Sequence, residues 1–464
     1  MYNNLNRLTL WGLAVVTTQS YSGILRVKME IKAFKAYRFN EAVVGDVGNC
    51  IAPPYDVIDA DLQDRLYKKS KYNIAQITKS KSTPTDTPDN NQYTRAAKLI
   101  NDWFQTGALK QDDKDSVYGY AQDFEIAGIK AQRLSFIALS KLEELGKNIK
   151  PHEYTLTGPK ADRLNLRRAT KASFGLIFML YKDAKNVADK TIKKAMKQKP
   201  LIDFVDEQNV RHRLFAVTDN NDIDAITKMM NTQTCVIADG HHRYETALNY
   251  YKETGEPSAQ YVLTAFVNTR QKGLLILATH RLIQNVKAYD SKKFLAALKK
   301  DFDLTTFAFD NEKAKQQARQ KMSAKMKAEF DADKNAFGIY TADGAFYVAV
   351  LKDKRLMDAV APDKSEHWKS LDVAVLHKLI IEKHLGIDEK VLAEGANIEY
   401  VKDTGEGIDD SINQVDKGAK QAALFMNPTK MKQIEMVTAT GERMPQKSTF
   451  FYPKVYTGLV INKH

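Results

Sequence analysis

Residues 239–245 read Asp-Gly-His-His-Arg-Tyr-Glu, which sets a carboxylate, two imidazoles and a guanidinium around one glycine. The apolar, β-branched run Cys235-Val236-Ile237-Ala238 before them has the character of a buried strand, and Asp239-Gly240 ends it with a sharp turn. His241 to Glu245 then form the first turn of a helix. Unpaired N–H groups, the positive end of the helix dipole, Arg243 and the imidazoles of His241 and His242 converge there, so the spacing points to an anion and above all to a phosphate. Gly240 fits that purpose, because a side chain would block the approach of phosphate to the backbone. Two other readings stand beside it. Asp239 could simply cap the helix while the histidines bond locally, although a cap needs only one such residue. A metal could be held by His241, His242, Asp239 and His152, but adjacent histidines point apart and the i, i+4 spacing of helical zinc ligands is missing, so no metal ligand is assigned.

If a phosphoryl group moves at this turn, catalysis is mostly positioning and charge neutralisation, with a carboxylate to orient or deprotonate the acceptor hydroxyl. Three carboxylates in motif-like loops qualify: Glu153, Asp239 and Asp56. Glu153 is the favoured base, because His152 and Lys160 near it can hold substrate or phosphate. Asp56 could instead cap the helix that begins near Asp59, and Asp162-Arg163 could be a local ion pair. His280-Arg281 at a strand end adds two groups suited to phosphate, and Lys447-Ser448-Thr449 near the C-terminus adds three suited to substrate, with His152, Lys160 and Arg163. Lys447 could equally be a surface lysine. Mg2+ would bridge the phosphates.

The elements that must position these groups are of mixed type. Asp59–Lys69 reads as a helix after the double proline Pro53-Pro54, Lys79–Asn91 as a loop, and the stretch through Trp103 as an amphipathic helix. Val117–Ile126 and Ala131–Leu139 form hairpin strands around Ala127-Gly128, and His152–Leu164 is a polar connector. Phe174–Tyr181 is a buried strand. The centre is a βαβα unit: strand Arg213–Val217, helix Asp222–Met230, strand Thr234–Ala238, helix His242–Tyr251. Beyond it come strands Tyr261–Asn268 and Leu274–Ala278, a helical region Ser291–Glu329, strands within Ala336–Lys352, an amphipathic helix Leu371–Leu385 and a tail loop Met444–Lys454.

Length and composition agree with a folded α/β protein of two or three packed units: 464 residues, 43% hydrophobic, 27% charged and 12 prolines. The net charge of +13 is spread over helical faces such as Lys190–Lys199 and Lys313–Lys327, so a nucleic-acid partner is not favoured and an anionic small molecule is. Cys50 and Cys235 sit in apolar surroundings and imply no disulfide framework. Arg7 followed by Leu8–Val16 superficially resembles a secretory signal, but the run lacks a small-residue cleavage site and is too short to span a bilayer. Since Met29 opens the first well-patterned segment, residues 1–28 are expected to be an upstream extension of a cytoplasmic protein. The expected organisation is an N-terminal α/β domain over 29–150, a central nucleotide-binding region over 151–290 and a C-terminal α/β region over 291–464.

Six segments carry a family resemblance: IAPPYDVI from Ile51, HEYTLTGPKADRL from His152, ADGHHRYETAL from Ala238, THRL from Thr279, LDVAVLHKLI from Leu371 and MPQKSTFFYPK from Met444. Together they resemble the bacterial and archaeal family called domain of unknown function 1015, over nearly the whole chain from Met29. That resemblance implies no reaction. More distantly, the helix-strand-DGHHR-helix order is similar to the nucleotide-binding fold of ParB-type proteins, sulfiredoxin and a ParB-like free serine kinase. It implies a ParB/sulfiredoxin-like core in which Gly240, His242 and Arg243 contact phosphate oxygens. His241 stands where sulfiredoxin has its catalytic cysteine, so sulfinic acid repair is not implied. The expectation is a phosphotransferase using ATP or ADP, or CTP, with Mg2+, on a small hydroxylated metabolite such as serine. A non-catalytic nucleotide switch or ParB-like nucleic-acid module is the first alternative, although the strand-rich stretch Tyr261–Ala278 replaces the helix-turn-helix of such clamps. A metal-dependent hydrolase is the second.

Overall fold

The structure, a computed structural model, describes residues 28–154, 157–393 and 395–464. The expected extension over 1–28 lies outside these residues except for Lys28. Asp59 does cap a helix, α1 (Ala60–Lys69), by accepting the N–H of Leu62. Asn91 and Thr94 form a capping box at the start of α2 (Gln92–Gln105). Ala127 and Gly128 both have positive φ, 48° and 76°, the two-residue turn whose twist suits a hairpin. They join β2 (Val117–Ile126) to β3 (Ile129–Lys141).

These two strands sit inside a nine-stranded mixed sheet. Its other members are β1 (Ile31–Lys32), β4 (Ile149–Pro151), β5 (Ile177–Tyr181), β6 (Ile202–Val205), β7 (Arg211–Val217), β8 (Cys235–Asp239) and β9 (Tyr261–Asn268). The order is β4-β8-β5-β9-β3-β2-β7-β6, with β1 paired to β3. Only β4–β8 and β5–β9 are parallel pairs. The runs β5 and β9 are apolar at almost every position because both of their faces are covered. Helices α3 (Thr157–Thr170), α4 (Val187–Ala195), α5 (Asn220–Met230) and α6 (His241–Thr254) belong to the same half of the chain.

A second sheet of six strands follows. It contains β11 (Thr279–Ile283), β12 (Phe302–Ala308), β13 (Ala336–Tyr340), β14 (Ala345–Leu351), β15 (Ile398–Lys402) and β16 (Ala422–Phe425), in the order β12-β14-β13-β16-β11-β15, all antiparallel. The short β10 (Leu275–Leu277) pairs instead with β17 (Phe450–Tyr452) in the tail. One apolar cluster runs from Tyr120, Phe178 and Ala265 of the first sheet to Ile283, Phe337 and Leu424 of the second, so the sheets share a core.

Several expectations change in the structure. The βαβα centre has its four elements in place, but β7 and β8 are not neighbours: β5, β9, β3 and β2 lie between them. Strands from both the 29–150 and 151–290 segments interleave in that one sheet, and the second sheet already begins at Thr279. His152–Leu164 is not a connector throughout, since α3 begins at Thr157; Arg163, Leu166, Arg167 and Thr170, at helical spacing, line its half-buried to buried side. The helical region Ser291–Glu329 is interrupted by β12, an edge strand whose partners come from β14. The tail loop contains strand β17, because Phe450–Tyr452 meet the backbone of β10. Leu371–Leu385 is helical with a π-type centre, Leu376–Glu382, and is mostly buried.

Candidate active site

Strand β8 delivers Asp239 to the sheet's end, and Gly240 turns the chain with φ 89° into α6, whose cap position carries no side chain. A Cβ on Gly240 would lie 3.1 Å from both Nε and one terminal nitrogen of Arg243, so the glycine admits the guanidinium folded back over the turn. Arg243 donates to Asp239 Oδ2 and to the carbonyl of Leu176, each at 2.6 Å. Lys454 donates to the other oxygen, Oδ1, at 3.0 Å. Burial alone would raise the Asp239 carboxyl, but Lys454 and Arg243 hold it well below the usual carboxylate range. Arg243, expected to grip phosphate, thus ties Asp239 to the residue just before β5, and Asp239 is a bridged anion rather than an available base.

His152 lies beside this turn, its ring centroid 4.8 Å from that of His241. The His152 backbone N–H donates to His241 Nε2 at 3.2 Å, and its own Nδ1 donates to the carbonyl of Ile237 at 2.5 Å. Burial, then the neighbouring His152, pushes His241 down to about 3, so it stays neutral. Backbone partners thus take His241 Nε2 and His152 Nδ1. Glu153 Oε1 accepts from both N and Oγ1 of Thr449, at 3.0 and 2.9 Å, and Thr449 Oγ1 also lies 2.8 Å from His152 Nε2. Burial would raise Glu153, yet the hydrogen bond to His152, the histidine charges and Thr449 bring it to about 2. It is therefore a weak base, and its bonds fasten the tail to the exit of β4.

The open side of the turn is different. Lys160 pairs with Glu245, and Arg443 lies 3.7 Å from the same carboxylate. Burial, then the charges of Lys160 and Lys447, lower His242 against the pull of Glu245 and Asp56. Lys447 is exposed, at the tip of a tail turn with φ 56°. Lys402, on β15, is lowered by burial and by Lys454 and Lys447. Four lysines thus crowd around the start of α6. Asp56 is exposed and makes no hydrogen bond to a described residue, and its charge acts on both His242 and Lys402. Asp59, not Asp56, caps α1. Next to Lys402 and Lys454 opens a cavity of about 470 Å³, walled by Ile51, Pro53, Phe204, Tyr400, Phe450 and Tyr456, within the size range of small-molecule pockets.

Other expected site residues are placed elsewhere. His280 is buried in the second sheet, 5.3 Å from the ring of Phe425, and accepts from the N–H of Met426 at 3.2 Å. Arg281 is buried as well, pushed down to about 10 by burial, and donates to the carbonyls of Thr279 and Lys447; it holds the tail turn from beneath. Arg163 bonds Asp162 and the carbonyl of Thr78 and lies 4.1 Å over the ring of Tyr55, so the local ion pair is realised. Ser448 gives its hydroxyl to the carbonyl of Pro445 within its own loop. Lys402 and Lys454 were absent from the sequence expectations, although Lys454 stands in the tail motif.

Residues 31–374 match the model of a family described as a protein of unknown function (DUF1015). No curated protein matches the chain. Among solved structures, a free serine kinase in complex with AMP is 12% identical, covering 66% of this chain and 83% of that one at a TM-score of 0.31. A conserved hypothetical protein from Pyrococcus furiosus is 14% identical over 66% and 89%, at 0.30. SbnI with a C-terminal truncation, from Staphylococcus aureus, is 11% identical over 69% and 84%, at 0.31. Scores this low carry no argument about the site. Among the described residues no helix is long and apolar enough to cross a membrane.

Proposed function

We propose, for a chain that belongs to the DUF1015 family, that the start of α6 binds a nucleotide by its phosphates and that the site transfers a phosphoryl group to a small hydroxylated metabolite. The observation that carries this reading is the gathering of Lys160, Lys402, Lys447 and Lys454 around an uncapped helix start, beside a carboxylate that no described residue bonds, Asp56. Cations at the positive end of a helix suit a polyphosphate. Lys447 and Lys160 contact phosphate oxygens in this reading, together with the backbone of His241 and His242. The adjoining cavity, lined by the aromatic rings of Phe204, Tyr400, Phe450 and Tyr456 and by both lysines and carboxylates, takes the nucleoside.

Asp56 replaces Glu153 as the base, because Glu153 is bonded from three sides and Asp239 from two. ATP or ADP is the preferred nucleotide, with CTP the alternative, and serine is one acceptor to try. The ParB/sulfiredoxin-like core belongs to this same proposal and rests on the strand-glycine-helix turn. Among the described residues no group of three or more His, Cys, Asp or Glu could hold a metal. Magnesium would fit as an ion carried on the phosphates, where it would neutralise their charge, with Asp56 as the carboxylate near the lysines that no described residue bonds.

Calorimetric titration with ATP, ADP and CTP, with and without Mg2+, tests binding, and transfer of labelled phosphate to serine and other hydroxy metabolites tests catalysis. Lys447→Ala should weaken nucleotide binding by about tenfold or more, the value of one charged hydrogen bond. Absence of binding by any of the three nucleotides would end the proposal, and binding without transfer would leave only its first half.

A further inference from the structure

Behind Arg243, on the side away from the lysines, lies a second cavity of about 70 Å³ between α3, α6 and the chain entering β5. Three arginines wall it: Arg163, Arg167 and Arg243. Two of them are matched by carboxylates, Arg163 by Asp162 and Arg243 by Asp239. Arg167 is not. It is 7% exposed, its terminal nitrogen lies 2.7 Å from Nε2 of His464, and its guanidinium stands 5.5 Å over the ring of Tyr250. None of the described carboxylates pairs with it, and its Nε is buried with no hydrogen-bond partner.

Thr246, which also lines the cavity, is 3% exposed and its hydroxyl likewise has no partner. Gly175 keeps the space open, since a Cβ there would lie 3.2 Å from Arg243 and 3.6 Å from Thr457 Oγ1. A buried cation without a counter-charge is costly, and the rule for buried charges is that they are paired. Burial lowers Arg167 to about 10, which leaves it charged at neutral pH. About two water molecules would fill the volume, but water would leave the charge unmatched.

We propose that this cavity binds one small oxyanion, inorganic phosphate or the carboxylate of a small metabolite, with Arg167 Nε and Thr246 Oγ1 as its donors. The site is separate from the nucleotide reading and does not depend on it. The test is thermal unfolding of the full chain in chloride buffer at constant ionic strength, titrated separately with inorganic phosphate, sulfate and acetate. A saturable rise in Tm is expected with phosphate and sulfate, or with acetate alone if the source is a carboxylate. Arg167→Met should abolish it, and Thr246→Val, nearly isosteric, should weaken it about tenfold and serves if the first variant does not fold. Lys447→Ala should leave it unchanged. A non-saturable effect in the unmodified chain, or an equal one in Thr246→Val, overturns the proposal.

Discussion

Lys454 Nζ lies 3.0 Å from Asp239 Oδ1, joining residues 215 positions apart in the chain. Because Arg243 holds the other oxygen, removing the lysine leaves the buried carboxylate with one partner. Lys454→Met should therefore destabilise the fold by about 1–3 kcal/mol at pH 7. The Asp239 carboxyl is depressed in the folded state, so its contribution is complete above the ordinary aspartate value of 3.8 and is lost as pH falls below it. With Lys454 gone the depression is smaller, so urea unfolding of wild type and variant should differ more at pH 7 than at pH 2.5.

His241 titrates at about 3 when folded against an ordinary 6.5. An unfolded chain takes up the proton first, so stability is complete above pH 6.5 and declines as pH falls from there toward 3, by about 1.4 kcal/mol per unit. His241→Gln, which retains an acceptor for the His152 N–H, should flatten that slope. Denaturant unfolding at pH 7, 6 and 5 reads it directly, and an unchanged slope would show that another group is responsible.

Asp56 and Asp59 stand three residues apart with opposite assignments. Asp56→Asn should leave stability within about 0.5 kcal/mol, as for an exposed side chain, and remove phosphoryl transfer. Asp59→Ala should cost about 1 kcal/mol, the worth of a helix cap, and keep transfer intact. Paired chemical unfolding and turnover measurements separate the two.

Gly240→Ala places a side chain where φ is 89° and where the Arg243 guanidinium already lies. The backbone alone costs about 1–2 kcal/mol. Displacing Arg243 would also loosen Asp239, so nucleotide affinity should fall along with Tm. Calorimetry showing undiminished affinity would mean that the turn is not the phosphate site.

The glycine turn, the hairpin at Ala127-Gly128 and the helices beginning at Asp59 and Asn91 are legible in the local pattern of residues, because caps and positive-φ turns are decided by a few adjacent side chains. What stays hidden is set by distant chain. Arg243 reads as a phosphate ligand until Leu176 and Asp239 are seen to occupy it, and Glu153 reads as a base until Thr449, 296 residues on, donates to it twice. His280 and Arg281 have the polarity of a site and the burial of a core. Strand β12 is lost between two lysine-rich helical stretches, since an edge strand with one half-exposed face has a weak apolar signal. Lys402 cannot be found by spacing, as it reaches the turn only through the pairing of β15 with β11.

The tail that supplies Lys447, Thr449 and Lys454 is bonded through β17 to β10, some 175 residues earlier in the chain. Without that tail, the turn at Gly240 would hold Asp239 with only one of its two cations and Glu153 without its Thr449 donors. A chain cut ahead of residue 447 would therefore keep every strand of the first sheet in its sequence and still lose the contacts that fix the turn.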